Sequence, residues 1–404
     1  MTVNGLPKNW KQLSLGGLCD RIGVGLAMGI TQHYSDSGTM LLRNQNIRPD
    51  RFDAREILFL SESFSSTQTN KKLRANDVIT VRTGANIGDT CVVPAAYAGS
   101  LTFTTLVASP KSNVLCSEYL SFYINSQFGR SEVNRLMAGG GKGNLNSGEL
   151  QKFQLLVPPY AEQVKIATIL STWDRAIEIT EKLIAAKKRR KQALMQQLLS
   201  GKVRFAGFSE KWKSIKAGDI FKPVSVKNYP NERVLSVTQD MGVVYRDEME
   251  RKIGMNMDTT GSYKLVEPGD FVISLRSFQG GLEMSRVRGI ASPAYHVIRP
   301  IIDIDLDFFR HFFKSYEFVG RLAVAVIGIR DGKQINYEDF GFLKFRVPPI
   351  EEQRAISDVL SAAERELGVL DKKVSVLKRQ KQGLMQQLLT GKVRVNINAE
   401  TTKG

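Results

Sequence analysis

The chain has 404 residues, 57 Lys+Arg against 40 Asp+Glu, a net charge of +17 and 42% hydrophobic residues. That length holds two or three domains with ample cores, and a basic balance of this size points to a polyanionic partner. No apolar run reaches the ~18 residues of a membrane span, the amino terminus has no signal-peptide pattern, and Cys19, Cys91 and Cys116 form no metal spacing, so a reduced, cytoplasmic protein without membrane contact is expected.

In chain order, NWKQLSLGGL around Trp10 opens the first globular block. MLLRNQNI (Met40–Ile47) reads as a strand, and in LRANDVITVRTGANIGDTCVV a turn containing Asp77 precedes an apolar strand, then Arg82 and a glycine-bearing loop. The aromatic helix EYLSFYINSQFGR serves the core. The polar loop AGGGKGNLN and a short strand then lead to Pro158-Pro159, which end the strand because proline lacks an amide proton and keeps its predecessor out of the helical region.

A long helix follows. Ile166, Leu170, Trp173, Ile177, Ile184, Leu194 and Leu198 recur at spacings that define a heptad seam, and Gly201 sits where the helix should stop. A helix from Glu162 to Leu199 would be about 57 Å long. After a short joint, Gly207–Trp212, the order repeats: KWKSIKAGDI, RVLSVTQDMGV, LVEPGDFVISLRSFQGGLEMS with Asp270 and Arg276, DFFRHFFKSYEFVGR and GIRDGKQIN. The second helix fills its seam with Ile356, Leu360, Ala363, Leu367, Leu370, Val374, Leu377, Leu384 and Leu388 and stops at Gly391. Val157–Arg204 and Val347–Arg394 align without a gap at an offset of 190 residues and both end in LMQQLL(S/T)GKVR, which establishes internal duplication.

Two equal seams in one chain bury each other most simply, as an intramolecular coiled coil; two separate amphipathic helices, each on its own domain, are the alternative. Lys191 and Lys381 fall on the seam, where polar residues fix register at a cost in stability. Residues 162–204 carry a net +6 and 352–394 a net +4, so the helices supply +10 of the +17. Polyanion binding and a solvated helix exterior both account for that charge, including the run KKRRK at Lys187–Lys191.

Several motifs fail as chemistry. VPPY at Val157–Tyr160 approximates a methyltransferase Asn/Asp-Pro-Pro-Tyr signature, but Val157 offers no polar side chain and Ile350 replaces the aromatic in the second copy. GGGKG at Gly139–Gly143 lacks the Ser/Thr of a phosphate loop, and Gly23, Gly25 and Gly29 miss the dinucleotide fingerprint by one residue. His33, His296 and His311 do not cluster, so no metal site and no catalytic set is expected.

The arrangement resembles the specificity subunit of type I restriction-modification systems over the whole chain. Trp-(Lys)-x-Leu/Ile openings, two dissimilar domains and two helical repeats beginning PPxxEQ carry the resemblance, and Pro158, Pro159, Glu162, Gln163, Pro348, Pro349, Glu352 and Gln353 match the family's helical start. It implies an α+β fold: two globular α/β target recognition domains separated by two long antiparallel helices forming an intramolecular coiled coil, with pseudo-two-fold duplication. The expected boundaries are 1–156 and 205–346 for the recognition domains, 157–204 and 347–394 for the helical spacers, and 395–404 for a disordered tail.

The resemblance further implies a non-catalytic subunit that reads a split double-stranded DNA target, one domain per half-site. Its helices would set the gap and dock two modification subunits, with restriction subunits joining them. The PPxxEQ residues are expected at that docking surface. No cofactor is expected in this chain; S-adenosylmethionine, ATP and Mg would belong to the partners. An orphan DNA-binding protein and a coiled-coil adaptor remain as alternatives. Base reading needs Arg or Lys for guanine and Asn or Gln for adenine on loops. The candidates are Arg43, Asn44, Gln45, Arg82, Asn86, Lys142 and Asn144 in the first domain, and Gln239, Arg276, Gln279, Arg330, Lys333, Gln334 and Asn336 in the second.

Overall fold

A computed structural model of the chain describes residues 6–139, 143–239, 241–249, 257–275, 277–326, 335 and 337–397. The chain forms two compact units, one of residues up to Thr180 together with those from Lys373 onward, the other of Glu181–Lys372. Each unit holds one globular domain and half of each long helix. The helices run Tyr160–Leu198 and Ile350–Leu388, 39 residues apiece, each starting just after its proline pair.

In the first unit, Cys19–Val24, Thr105–Pro110, Val78–Val81 and Thr90–Val92 form a four-stranded antiparallel sheet in that spatial order. Thr105–Pro110 is an inner strand of this sheet, with five of its six residues buried. The second unit repeats the order with Phe221–Val224, His296–Pro300, Phe271–Ile273 and Glu283–Met284. The opening segments around the two tryptophans are strands that close each domain: Lys11–Ser14 pairs with Gln154–Val157, and Lys213–Lys216 with Lys344–Val347.

The aromatic segments supply core, as their composition suggests, with Phe128 and Tyr316 as exposed exceptions. Each breaks into two helices at a serine: Ser117–Asn125 and Gln127–Gly139 around Ser126, and Leu306–Phe312 and Tyr316–Val326 around Ser315. Both serine hydroxyls accept from a backbone N–H of the second helix, Gly129 N–H at 3.2 Å and Phe318 N–H at 3.3 Å. The turn aspartates, one in each half of the chain, are structural. Asp77 accepts from Arg74 N–H and pairs with Arg21 at 2.6 Å; Asp270 accepts from Glu267 N–H and pairs with Arg299 at 2.6 Å.

The long helices are antiparallel within each unit. In the first, Ile166 and Leu170 near the start of one helix share a buried cluster with Met385 and Leu388 near the end of the other. In the second, Ile356 and Leu360 share a cluster with Leu198 and Leu199. Among other seam positions, Ile177, Ile184 and Val374 are buried, whereas Trp173, Leu194, Leu367, Leu370, Leu377 and Leu384 are half-buried, as in a two-helix seam with solvent on both sides. Among the described residues no helix is long and apolar enough to cross a membrane. The expected tail lies outside the described residues from 398 on, and Val395 packs against the first unit's core.

Candidate nucleic-acid interface

The first candidate reading segment follows the strand Thr39–Leu42 as a 3₁₀ turn, Asn44–Asn46. Its anchor is Asn46, fully buried, whose amide donates to Asp53 O at 2.9 Å and Arg55 O at 2.8 Å while its oxygen accepts from Arg43 N–H at 2.9 Å. With the backbone so held, Arg43, Asn44 and Gln45 are left half-buried at the surface. Arg43 Nη2 donates to Glu56 O at 2.8 Å, and Gln45 Nε2 donates to Glu56 Oε2 at 2.9 Å.

Arg82 follows the strand Val78–Val81, and the return to Thr90–Val92 is closed by Gly88 N–H donating to Val81 O at 2.9 Å. Leu145 N–H donates to Arg82 O at 3.0 Å, which brings exposed Asn144 beside the loop that carries exposed Asn86. Leu42 and Val81, which precede Arg43 and Arg82, belong to one buried cluster, so both reading segments leave the same core. Arg130 supports the loop from below, donating to Ile87 O at 3.0 Å and Asp89 Oδ1 at 2.6 Å; the sequence reading missed it. Among the described residues, three buried side-chain polar atoms lack a hydrogen-bond partner: Arg43 Nε, Asn44 Oδ1 and Arg82 Nε. All three belong to candidate base readers, and an orphaned buried polar atom calls for an explanation such as a ligand that completes it.

In the second unit, Gln239 follows the strand Leu235–Thr238, the counterpart of Thr39–Leu42. A Cβ on Gly280 would lie 2.9 Å from Gln239 Cγ, so glycine there lets the two reading segments close on each other. Gln239 lines a 590 Å³ cleft with Ser236, Arg246, Glu283 and Tyr295. Gln279 is exposed and lines a 730 Å³ cleft with Gln196, Lys314 and Tyr316, whose ring is 94% exposed. Lys142, Arg276, Arg330, Lys333, Gln334 and Asn336 lie outside the described residues.

The PPxxEQ residues form an internal clasp. Glu162, fully buried, accepts from Trp10 Nε1–H at 3.2 Å and from Arg394 Nε and Nη2 at 2.6 and 2.8 Å. Glu352, its counterpart, accepts from Trp212 Nε1–H at 3.0 Å and from Arg204 at 2.8 and 2.7 Å. Gln163 and Gln353 donate to Pro158 O and Pro348 O at 2.9 Å, and each side-chain oxygen accepts a backbone N–H of the globular domain, from Cys116 and Asp305. Pro158 and Pro348 are buried; Pro159 and Pro349 are half-buried and cap the helices through their carbonyls. Of the residues expected at the docking surface, Glu162, Gln163, Glu352 and Gln353 are buried and hydrogen-bonded within the chain. Each clasp joins a domain opening, one helix start and the GKVR that follows the other helix. Its signal in the sequence was three motifs, each present twice.

The seam lysines carry a second repeated device. Lys381 Nζ donates to both oxygens of Asp174, at 2.7 and 2.8 Å, and to Asp50 at 3.1 Å. Lys191 pairs with Glu364, which also pairs with Arg310 at 2.8 Å. Both partners in each pair are related by the 190-residue offset. Burial lifts the Asp174 carboxyl above its ordinary range against the pull of Lys381. Burial acts the same way on Glu364, but Lys191 and Arg310 outweigh it and hold that carboxyl below its ordinary range. Within KKRRK, Lys187 pairs with Glu366 at 2.6 Å and Lys191 with Glu364, leaving Lys188, Arg189 and Arg190 exposed.

Burial pushes the thiols of Cys19 and Cys91 up to about 12 and that of Cys116 up to about 11, so none is a ready nucleophile. Among the described residues no group of three His, Cys, Asp or Glu side chains could hold a metal. Residues 7–188 match the family model of the type I restriction modification DNA specificity domain. The first repeat of the chain thus resembles the type I restriction-modification specificity family.

Proteins named as type I specificity subunits are similar to this chain along most of its length. The EcoKI specificity subunit of Escherichia coli K12 is 21% identical, with 99% of this chain and 92% of that one covered. The MjaVIII specificity subunit of Methanocaldococcus jannaschii is 24% identical, with 82% and 83% covered. The fold matches the type I restriction-modification S subunit from M. genitalium with a TM-score of 0.57 at 14% identity, covering 96% and 98%. A chain solved in a study of complex assembly and conformational transition of a type I R-M system matches equally, at a TM-score of 0.57 and 16% identity, covering 96% and 99%.

Proposed function

We propose that this subunit reads a split DNA target, each unit contacting one half-site, and that it brings adenine methyltransferase and ATP-dependent restriction subunits to that target. One observation carries the reading: two units built to one plan, 190 residues apart, each ending its reading strands in a polar edge of Arg, Asn or Gln. Arg43, Asn44, Gln45, Arg82, Asn86 and Asn144 serve the first half-site, with Gln239 and Gln279 at the second; Arg and Gln side chains suit bidentate contacts to guanine and adenine. Two modest half-site affinities joined by a helical spacer become one strong affinity through effective concentration. S-adenosylmethionine, ATP and Mg belong to the partner subunits in this reading. With the PPxxEQ residues buried, docking falls to exposed apolar side chains of the long helices, such as Ile179 at 56% and Val369 at 66% exposure.

The test is methylome sequencing of cells lacking other methyltransferases, with this chain co-expressed beside its modification subunit. A new split adenine-methylated motif that disappears when this chain is omitted is the expected result. A complex that assembles and writes no motif would leave an orphan reader instead.

A further inference from the structure

The two units differ in what their seam lysine reaches. Lys191 and Lys381 occupy equivalent positions and pair with equivalent acids, yet Lys381 extends its bridge to the hairpin turn that directly follows the candidate base readers Arg43, Asn44 and Gln45. It is nearly buried, with a side chain 12% exposed that lies 4.9 Å over the Phe122 ring. Beyond Asp174 it donates to Asp50 Oδ2 at 3.1 Å. Asp50 stands at φ 58°, a left-handed conformation uncommon for a residue with a Cβ, in the turn between Ile47–Arg48 and Arg51–Phe52. Its other oxygen accepts from Ser121 Oγ at 3.1 Å and Asn125 Nδ2 at 2.6 Å, and its N–H donates to Thr90 O at 2.9 Å.

We propose that Lys381 is a positioning residue: through Asp50 it fixes the turn that presents Arg43, Asn44 and Gln45, so the helix pair holds the first domain's reading edge in place. Lys381 holds Asp50, which stands between the paired strands Ile47–Arg48 and Arg51–Phe52; from that hairpin the chain leads directly to Asn46, which grips Asp53 O and Arg55 O while accepting from Arg43 N–H. In the second unit the corresponding acid, Glu364, is tied to Arg310 on the helix Leu306–Phe312, away from the strand Leu235–Thr238 and Gln239. Lys191 thus supplies an internal comparison: the same bridge without the link to a reading turn.

This rests on the split-target reading, so the experiment has two readouts. Lys381→Met keeps an unbranched apolar side chain of similar length and removes the ammonium that lies over Phe122, leaving Asp50 and Asp174 facing each other; Lys381→Arg keeps the charge, and Lys191→Met removes the comparison lysine. In the full-length chain with its modification subunit, hydrogen exchange is followed over residues 43–56, and methylation is profiled on split sites varied one base at a time. Lys381→Met is expected to raise exchange over 43–56 and to raise methylation at single-base variants of one half-site by about tenfold relative to the intact site. The other half stays unchanged, Lys381→Arg restores both readouts, and Lys191→Met moves neither the 43–56 exchange nor that half-site. Unchanged exchange over 43–56, or an equal loss of discrimination in both halves, overturns the proposal. If the wild-type chain writes no split motif, the split reading fails, and the exchange result alone decides whether Lys381 holds the turn.

Discussion

Glu162 has no exposure to water, yet its two principal partners differ greatly in theirs: Trp10 is buried, while the Arg394 side chain is 40% exposed. The consequence is an asymmetry between two substitutions of one ion pair. Arg394→Ala strands a buried carboxylate with the Trp10 indole as its remaining side-chain donor, a loss of about 3 kcal/mol. Glu162→Gln keeps an acceptor for Trp10 and lets the guanidinium turn to water, at about 1 kcal/mol. Urea unfolding of the two variants should therefore rank Arg394→Ala as clearly the worse; equal or reversed costs would mean that the pair does not hold the clasp. At this scale the sequence was informative about residue type and poor about contact. Trp10, Glu162 and Arg394 each stood in a repeated motif, but Glu162 is 232 residues from Arg394, and no local pattern announces a contact that distant. The base-reading set has the opposite difficulty. Asn46 has the same chemistry as Asn44 and lies two residues away, yet it is fully buried scaffold, and composition alone does not separate a turn-maker from a reader.

The helices show how one repeated element takes on two electrostatic characters. Lys381 is shared by two anions, Asp174 and Asp50, whereas Glu364 is shared by two cations, Lys191 and Arg310. That explains why the equivalent carboxyls shift in opposite directions, Asp174 upward and Glu364 downward. The seam lysines were legible in the heptad pattern, because a lysine on an apolar stripe needs a partner; the domain residues that join each bridge were not, since Asp50 and Arg310 belong to loosely similar domains. His311 borders the second bridge and is 1% exposed. Its Nε2 contacts Arg310 Nη2 at 3.0 Å, an acceptor role that leaves the proton on Nδ1, facing Glu364. Burial, reinforced by Arg310, lowers its pKa from 6.5 to about 4. Between those values the unfolded chain binds a proton that the folded chain refuses, so stability falls as pH drops below 6.5. The expected loss is about 2 kcal/mol between pH 7 and pH 5. His311→Gln should flatten that slope in urea midpoints measured across the same range, and an unchanged slope would remove His311 as its source.

At the scale of the whole chain, duplication was the most legible property, because a 190-residue offset without gaps is visible in the letters alone. What it means physically emerges only from the units. Each is completed by the end of the helix that belongs to the other repeat: Glu162 receives Arg394, and Glu352 receives Arg204. The donated ends are nearly identical, since LMQQLL supplies Leu194, Met195 and Leu198 to one unit and Leu384, Met385 and Leu388 to the other. The polar bridge is equally compatible, because Lys191 and Lys381 each meet an acid, Glu364 or Asp174. A fragment of residues 1–204 thus carries Trp10, Glu162, Asp174, Lys191 and Arg204, every group that a unit requires, but with the helix start and helix end belonging to different units. Two copies can satisfy both by exchange, Arg204 of each reaching Glu162 of the other across a two-fold axis. Light scattering on the purified fragment should give the mass of a dimer, and Glu162→Arg should abolish it by placing two cations in the clasp. A folded monomer from the unsubstituted fragment would show that a single helix end folds back on its own domain, and that the exchange between repeats is not what completes each unit.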